Sequence, residues 1–234
     1  MIARRRQAGF TLVELLVALF AMALLAVMSW RGLDGMVRAQ QQTQARSDEA
    51  LTLQVGLEQW SADLDAVVQL PRTAALDWNG RVLRITRRGS AAPGDGVIVA
   101  AWTRRIVDGQ GTWLRWQSAP ATTREQLDRA WHQADTWAQT PGDEERRAEV
   151  AVVPLAEWQL FYFRGGAWTN PQSSDASGPA PAAPPAAPSG PGALATPVLP
   201  DGVRLVLTLP PGQSVAGVLT IDWVRPTLSG GKSS

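Results

Sequence analysis

Arg4-Arg5-Arg6-Gln7-Ala8-Gly9 runs directly into Phe10-Thr11-Leu12-Val13-Glu14 and then into a long apolar stretch. The chemistry this arrangement suits is proteolysis of the chain, not catalysis by it. Gly9 is the small residue at a natural boundary, and it stands before the apolar core. An ordinary secretory signal places its small-residue site beyond that core. Cutting between Gly9 and Phe10 removes the three arginines and leaves the whole apolar segment on the mature chain, with a new amine on Phe10. Glu14 then lies four residues from that amine and is the one charged group in Phe10–Trp30, FTLVELLVALFAMALLAVMSW. A carboxylate in a membrane helix costs about 2–3 kcal/mol on insertion scales, less near an end, and usually has a partner or a role. Glu14 is only about 6 Å along a helix from Phe10, so solvation at the interface is the alternative. Ala21-Met22-Ala23 fits a conventional signal-peptidase pattern, but the apolar run continues through Met28 and Glu14 interrupts the core such a signal needs.

The rest of the chain offers no catalytic constellation. There is no cysteine and His132 is the one histidine, which excludes disulfides, thiol chemistry and Cys-based metal sites. Gly109-Gln110-Gly111 lacks the remainder of either nucleotide-binding fingerprint. Asp63 and Asp65 stand two apart on a predicted helix and do not face each other. Asp143-Glu144-Glu145 reads as a solvated acidic run, and no segment has calcium-loop spacing. The expectation is a protein that is not an enzyme, with no cofactor and no metal.

These residues need an anchor and a domain to carry them. Phe10–Trp30 as a helix spans about 32 Å, matching a hydrocarbon core of about 30 Å. The arginines ahead of it belong on the cytoplasmic side by the positive-inside rule, which puts the remainder across the membrane. Of 22 basic and 21 acidic residues the leader holds three basic ones, so processing leaves 19 against 21 and no basic surplus for nucleic acid. Beyond the anchor, Gly32 and Gly35 weaken the helix by roughly 1 kcal/mol each relative to alanine and offer a bend. Leu53, Leu57, Trp60, Leu64, Val67 and Val68 form a buried stripe, and Pro71 ends the helix.

Strands are predicted at Arg81–Arg87, Val97–Thr103, Thr112–Gln117, Glu157–Phe163, Val203–Leu209 and Val215–Trp223. A helix interrupts them: Thr122-x-x-Glu125 is a capping-box match, with Leu127, Trp131, Ala134 and Trp137 on one face and Pro141-Gly142 as its stop. Eleven tryptophans imply large buried rings. The fold class is α+β, a long N-terminal helix packed on antiparallel sheet. The predicted organisation is a leader (1–9), a transmembrane helix (10–30), its continuation (31–70), a β-rich domain (71–228) and a frayed tail (229–234). Residues 171–200, dominated by Pro, Ala, Ser and Gly, read as an extended insertion within the domain.

GFTLVE and the apolar run behind it resemble the class III signal of type IV pilins and pseudopilins. Four further segments resemble the J-type minor pseudopilin of type II secretion systems: Ser29–Asp34 (SWRGLD), Leu57–Leu64 (LEQWSADL), Trp158–Phe163 with Gly166-Ala167-Trp168, and Leu199–Leu205 (LPDGVRL). The insertion departs from that family. The resemblance implies cleavage after Gly9 by prepilin peptidase and methylation of the Phe10 amine. It implies that Glu14 meets the amine of a neighbouring subunit during assembly, with the chain held in the bacterial inner membrane and its domain in the periplasm. Other minor pseudopilins and the major pseudopilin are the implied partners, in a pseudopilus tip complex that starts filament assembly for protein export. A minor pilin of a type IV pilus, serving adhesion, motility or DNA uptake, shares every leader feature.

Overall fold

The computed structural model describes residues 11–89, 94–172 and 199–226. The cleavage point Gly9–Phe10, most of the Pro/Ala-rich insertion and the predicted tail therefore lie outside the described residues. The chain forms two units, Met1–Asp48 and Glu49–Ser234.

The first unit contains a single described element, the N-terminal part of α1 (Leu12–Asp65). Leu12 to Val27 is built of helix formers without proline, and every residue from Thr11 to Glu49 is exposed. The helix continues through Gly32 and Gly35, and a Cβ at either would meet nothing within 4 Å. Local pairs support this stretch, with Asp34 bound to Arg38 at 2.7 Å and Gln44 donating to Asp48 at 2.9 Å, the i,i+4 spacing that brings side chains together on one face.

In the second unit, α1 runs from Glu49 to Asp65 and buries Leu53, Gly56, Trp60, Asp63 and Leu64. It stops short of the residue-70 boundary that the apolar stripe predicts. After Asp65 the chain becomes extended: the Val68 amide donates to the Thr86 carbonyl at 2.9 Å and the Arg88 amide to the Ala66 carbonyl at 3.0 Å. Val67 and Val68 are β-branched and pair more readily than they coil, so a strand edge ends the helix before Pro71 does.

Five antiparallel strands follow in the order β1 (Leu76–Trp78), β2 (Val82–Arg88), β3 (Val97–Val107), β4 (Gln110–Gln117) and β5 (Glu149–Pro154). Between β4 and β5 stand α2 (Arg124–Gln139) and the short α3 (Asp143–Arg147). A second antiparallel sheet has the order β7 (Ala167–Thr169), β6 (Glu157–Arg164), β8 (Gly202–Leu209) and β9 (Gly217–Val224). The Pro/Ala-rich sequence therefore separates two strands of one sheet, as an insertion. Gly109 belongs to the β3–β4 hairpin turn, where Asp108 and Gly109 have φ of 49° and 81°. Positive φ at both central residues suits a two-residue hairpin.

The capping box of α2 is displaced by one residue from the Thr122/Glu125 reading. Thr123 is the N-cap, its hydroxyl accepting from the Gln126 amide at 3.3 Å, and Gln126 Oε1 accepts from the Thr123 amide at 3.0 Å. Gln126 also accepts from the Thr122 amide and hydroxyl at 2.8 and 3.1 Å. One glutamine thus satisfies both threonines.

The five-stranded sheet is buried on both faces. One face meets α2 through Val82, Val99, Ala101, Leu114 and Trp116 against Leu127, Ala130, Ala134 and Trp137. The other carries Leu83, Ile85, Trp102 and Trp113 into a core shared with Leu53, Trp60 and Leu64 of α1 and with Leu160, Val203, Leu205 and Leu207 of the second sheet. Two-sided burial explains why Val97–Thr103 reads as a continuous apolar run. Trp60 is the hub of the core: it contacts Trp102 (5.4 Å between ring centroids), Trp113 (5.9 Å) and Trp158 (6.5 Å).

Candidate functional site

Glu14 lies in the first turn of α1 and takes part in a reciprocal cap. The Thr11 amide and hydroxyl donate to Glu14 Oε2 at 3.2 and 3.1 Å, and the Glu14 amide donates to the Thr11 hydroxyl at 3.3 Å. Thr11-x-x-Glu14 is thus a capping box in its own right, a pattern legible in the sequence. The carboxylate sits at the positive end of a helix dipole, where a negative charge is stabilised. It remains exposed. Glu14 is described, whereas Gly9 and Phe10 lie outside the described residues. The helix that carries Glu14 is long and apolar enough to cross a membrane.

The second concentration of charge is internal. Asp63, fully buried, receives five N–H donors. Its Oδ1 accepts from Arg115 Nη2 and Gln59 Nε2, each at 2.9 Å, and from Arg87 Nη1; its Oδ2 accepts from Arg115 Nε and Trp102 Nε1, each at 2.8 Å. A carboxylate offers about four lone-pair sites, so this one is saturated and unfit to act as a base. It fastens the end of α1 to β2, β3 and β4. Asp65, two residues on and exposed, accepts from Trp223 Nε1 of β9 at 2.8 Å. The two aspartates indeed do not face each other: Asp63 holds one sheet and Asp65 the other. At the start of this helical segment Glu49 Oε2 accepts from the Ser214 amide and hydroxyl at 2.9 and 2.8 Å, tying down the β8–β9 connection.

The remaining sequence candidates stay apart. His132 is exposed on the outer face of α2, and Asp143 and Glu144 are exposed in α3. Among the described residues no group of three or more His, Cys, Asp or Glu side chains could hold a metal ion. Tyr162 is buried with its hydroxyl unpartnered among the described residues, and burial pushes its phenol far above the ordinary value. Such a group stays protonated and does no acid–base work at neutral pH. The geometry describes an exposed apolar helix with one carboxylate at its start, and, in the second unit, a buried carboxylate that fastens the last turns of α1 to the sheet.

Residues 4–30 match the family model of the prokaryotic N-terminal methylation motif, the type IV pilin-like leader. No curated protein matches the chain. The match spans Arg4–Arg6, Gly9, Phe10 and Glu14 and ends at Trp30, where the apolar run ends. A leader of this type implies processing by a prepilin peptidase and assembly with pilin-type proteins.

Proposed function

We propose that the chain is a minor pseudopilin of a type II secretion system, a structural subunit of the tip complex that initiates the pseudopilus. The observation that carries the reading is the methylation motif at residues 4–30, within which the 54-residue helix Leu12–Asp65 begins, the last turns of that helix being pinned by Asp63 to the sheet of the second unit. In this reading prepilin peptidase cuts between Gly9 and Phe10 and the Phe10 amine is methylated. Phe10–Trp30 anchors the chain once through the inner membrane, with residues 31–228 on the periplasmic side. Glu14 meets the amine of a neighbouring subunit, since opposite charges attract strongly in low dielectric. The segments SWRGLD, LEQWSADL and LPDGVRL support the J-type assignment within the wider pilin-like class. The motif serves a minor pilin of a type IV pilus equally well, and gene neighbourhood separates the two: a secretin and other pseudopilin genes against twitching or competence genes.

Mass spectrometry of the chain recovered from membranes tests the processing. The expected mature terminus is a methylated Phe10, and a bulky residue in place of Gly9 leaves the leader attached. A mature terminus after Ala23 overturns the reading. Co-purification with the other minor pseudopilins of the same cell tests the tip-complex role, and its absence from a well-folded, processed chain removes that role.

A further inference from the structure

Four strand edges close the two sheets, and they are unequally protected. The edges β1 and β7 are three residues long each. The edge β9 carries Asp222, paired with Arg204 at 2.7 Å. The edge β5 is six residues long; Glu149 and Pro154 stand at its ends and a bulge interrupts its pairing opposite Trp113 and Leu114, while its middle, Val150-Ala151-Val152, bears no charge. Natural sheets normally guard such an edge with charge, brevity or cover. Among the described residues β5 pairs with β4 alone.

Beside this edge lies a groove of about 380 Å³ between α1 and the sheet. Leu51 and Val55 form one wall and Val150 and Val152 the other, with Trp102 and Arg115 at the floor. Leu51, Val55 and Val150 are 56%, 61% and 56% exposed. The groove exists because Gly56 lets the helix cross close to β5: a Cβ there would lie 2.2 Å from Val152 Cγ1. The floor is electropositive. Among the described residues Arg87 and Arg115 share the single carboxylate of Asp63, two cations on one anion. Arg115 also donates from Nη1 and Nη2 to the neutral Gln117 amide oxygen, each at 3.1 Å.

We propose that this groove is a docking site for an extended segment of a partner protein. The segment adds a strand to the free edge of β5, lays apolar side chains against Leu51, Val55 and Val150, and places one carboxylate on Arg115. Strand addition supplies main-chain hydrogen bonds, and the alternate side chains supply selectivity. A carboxylate supplies the counter-charge the Asp63 cluster lacks, through a charge-assisted bond of roughly twice the strength of a neutral one. The inference rests on reading the domain as an assembly subunit. That reading is tested by processing and co-purification, which can succeed where peptide docking fails.

The test titrates the full chain in detergent micelles with two capped peptides, Thr-Val-Glu-Val-Thr and Thr-Val-Gln-Val-Thr, by calorimetry, and follows backbone hydrogen exchange. The glutamate peptide is expected to bind about tenfold more tightly than the glutamine peptide, and exchange is expected to slow across Glu149–Pro154. Arg115→Met should abolish the preference for glutamate. Because Arg115 also supports the fold, Val150→Asp is the second variant: its site is exposed, and it should weaken both peptides at least about tenfold by placing a charge on the apolar wall. Equal affinities for the two peptides, no binding at millimolar peptide, unaltered binding by Val150→Asp, or protection appearing on β9 instead of β5 would each overturn the proposal.

Discussion

Asp63→Ala is the most informative single perturbation of the domain. It strands two guanidiniums whose side chains are only 12% and 11% exposed, and it orphans the Trp102 indole N–H. Removing one partner of a buried ion pair costs about 3–5 kcal/mol. The slight exposure of both arginines allows some rehydration, so a loss of about 3–4 kcal/mol is expected, within the range for breaking such a pair. Asp65→Ala is the internal control. It removes the exposed carboxylate that accepts one hydrogen bond from the Trp223 indole N–H, worth about 1 kcal/mol. Urea unfolding of the full chain in micelles, followed by tryptophan fluorescence, gives both values. The double variant Asp63→Ala with Arg87→Met should recover part of the loss, because it removes one of the stranded charges and neighbouring sites are not additive. A loss for Asp63→Ala no greater than that for Asp65→Ala would refute the view that this carboxylate fastens the helix to the sheet.

Glu14 has two separable roles, a cap and a charge: Glu14→Gln keeps a side chain fit for the capping box and removes the charge, whereas Glu14→Ala removes both. Both variants should insert and be cleaved normally and be impaired in filament or tip-complex assembly, scored by secretion in a strain carrying only the altered copy; wild-type assembly by Glu14→Gln would mean that the charge is dispensable. Gly56→Ala sets about 1 kcal/mol of improved helix propensity against about 1–3 kcal/mol of overpacking on Val152, so denaturant unfolding should show a net loss that Val152→Ala restores. Tyr162→Phe removes a buried hydroxyl that has no partner among the described residues, so thermal unfolding should show a stability equal to wild type or slightly above it.

Local chemistry makes much of this molecule legible from its sequence. The apolar run with Glu14 as its one charge marks, by composition alone, a helix long and apolar enough to cross a membrane, and the α+β class follows from a helical stripe ahead of alternating strands. Six strands and α2 appear close to their predicted positions because each carries a period or a continuous apolar run that its own residues define. Strands β1 and β7, three residues each, are too short to show a period, and β5 alternates poorly because a bulge shifts its register opposite Trp113 and Leu114. The choice between Thr122/Glu125 and Thr123/Gln126 is locally undecidable: both pairs satisfy the same pattern, and the glutamine that reaches both threonines is apparent only in three dimensions.

Asp63 is the clearest case of what tertiary structure alone decides. Its partners Arg87, Trp102 and Arg115 lie 24, 39 and 52 residues away, and nothing in the local pattern of an aspartate on a helix marks it as buried. Asp65 has the same residue type and a similar neighbourhood, yet it faces solvent and the other sheet. Which aspartate is enclosed depends on how the last turns of α1 rotate onto the sheets, and that rotation is set by the packing of Trp60 and the close approach at Gly56. Periodicity reports which face of an element is apolar. Only the meeting of faces determines which charges must be neutralised between them, because the cost of burying a charge depends on what surrounds it.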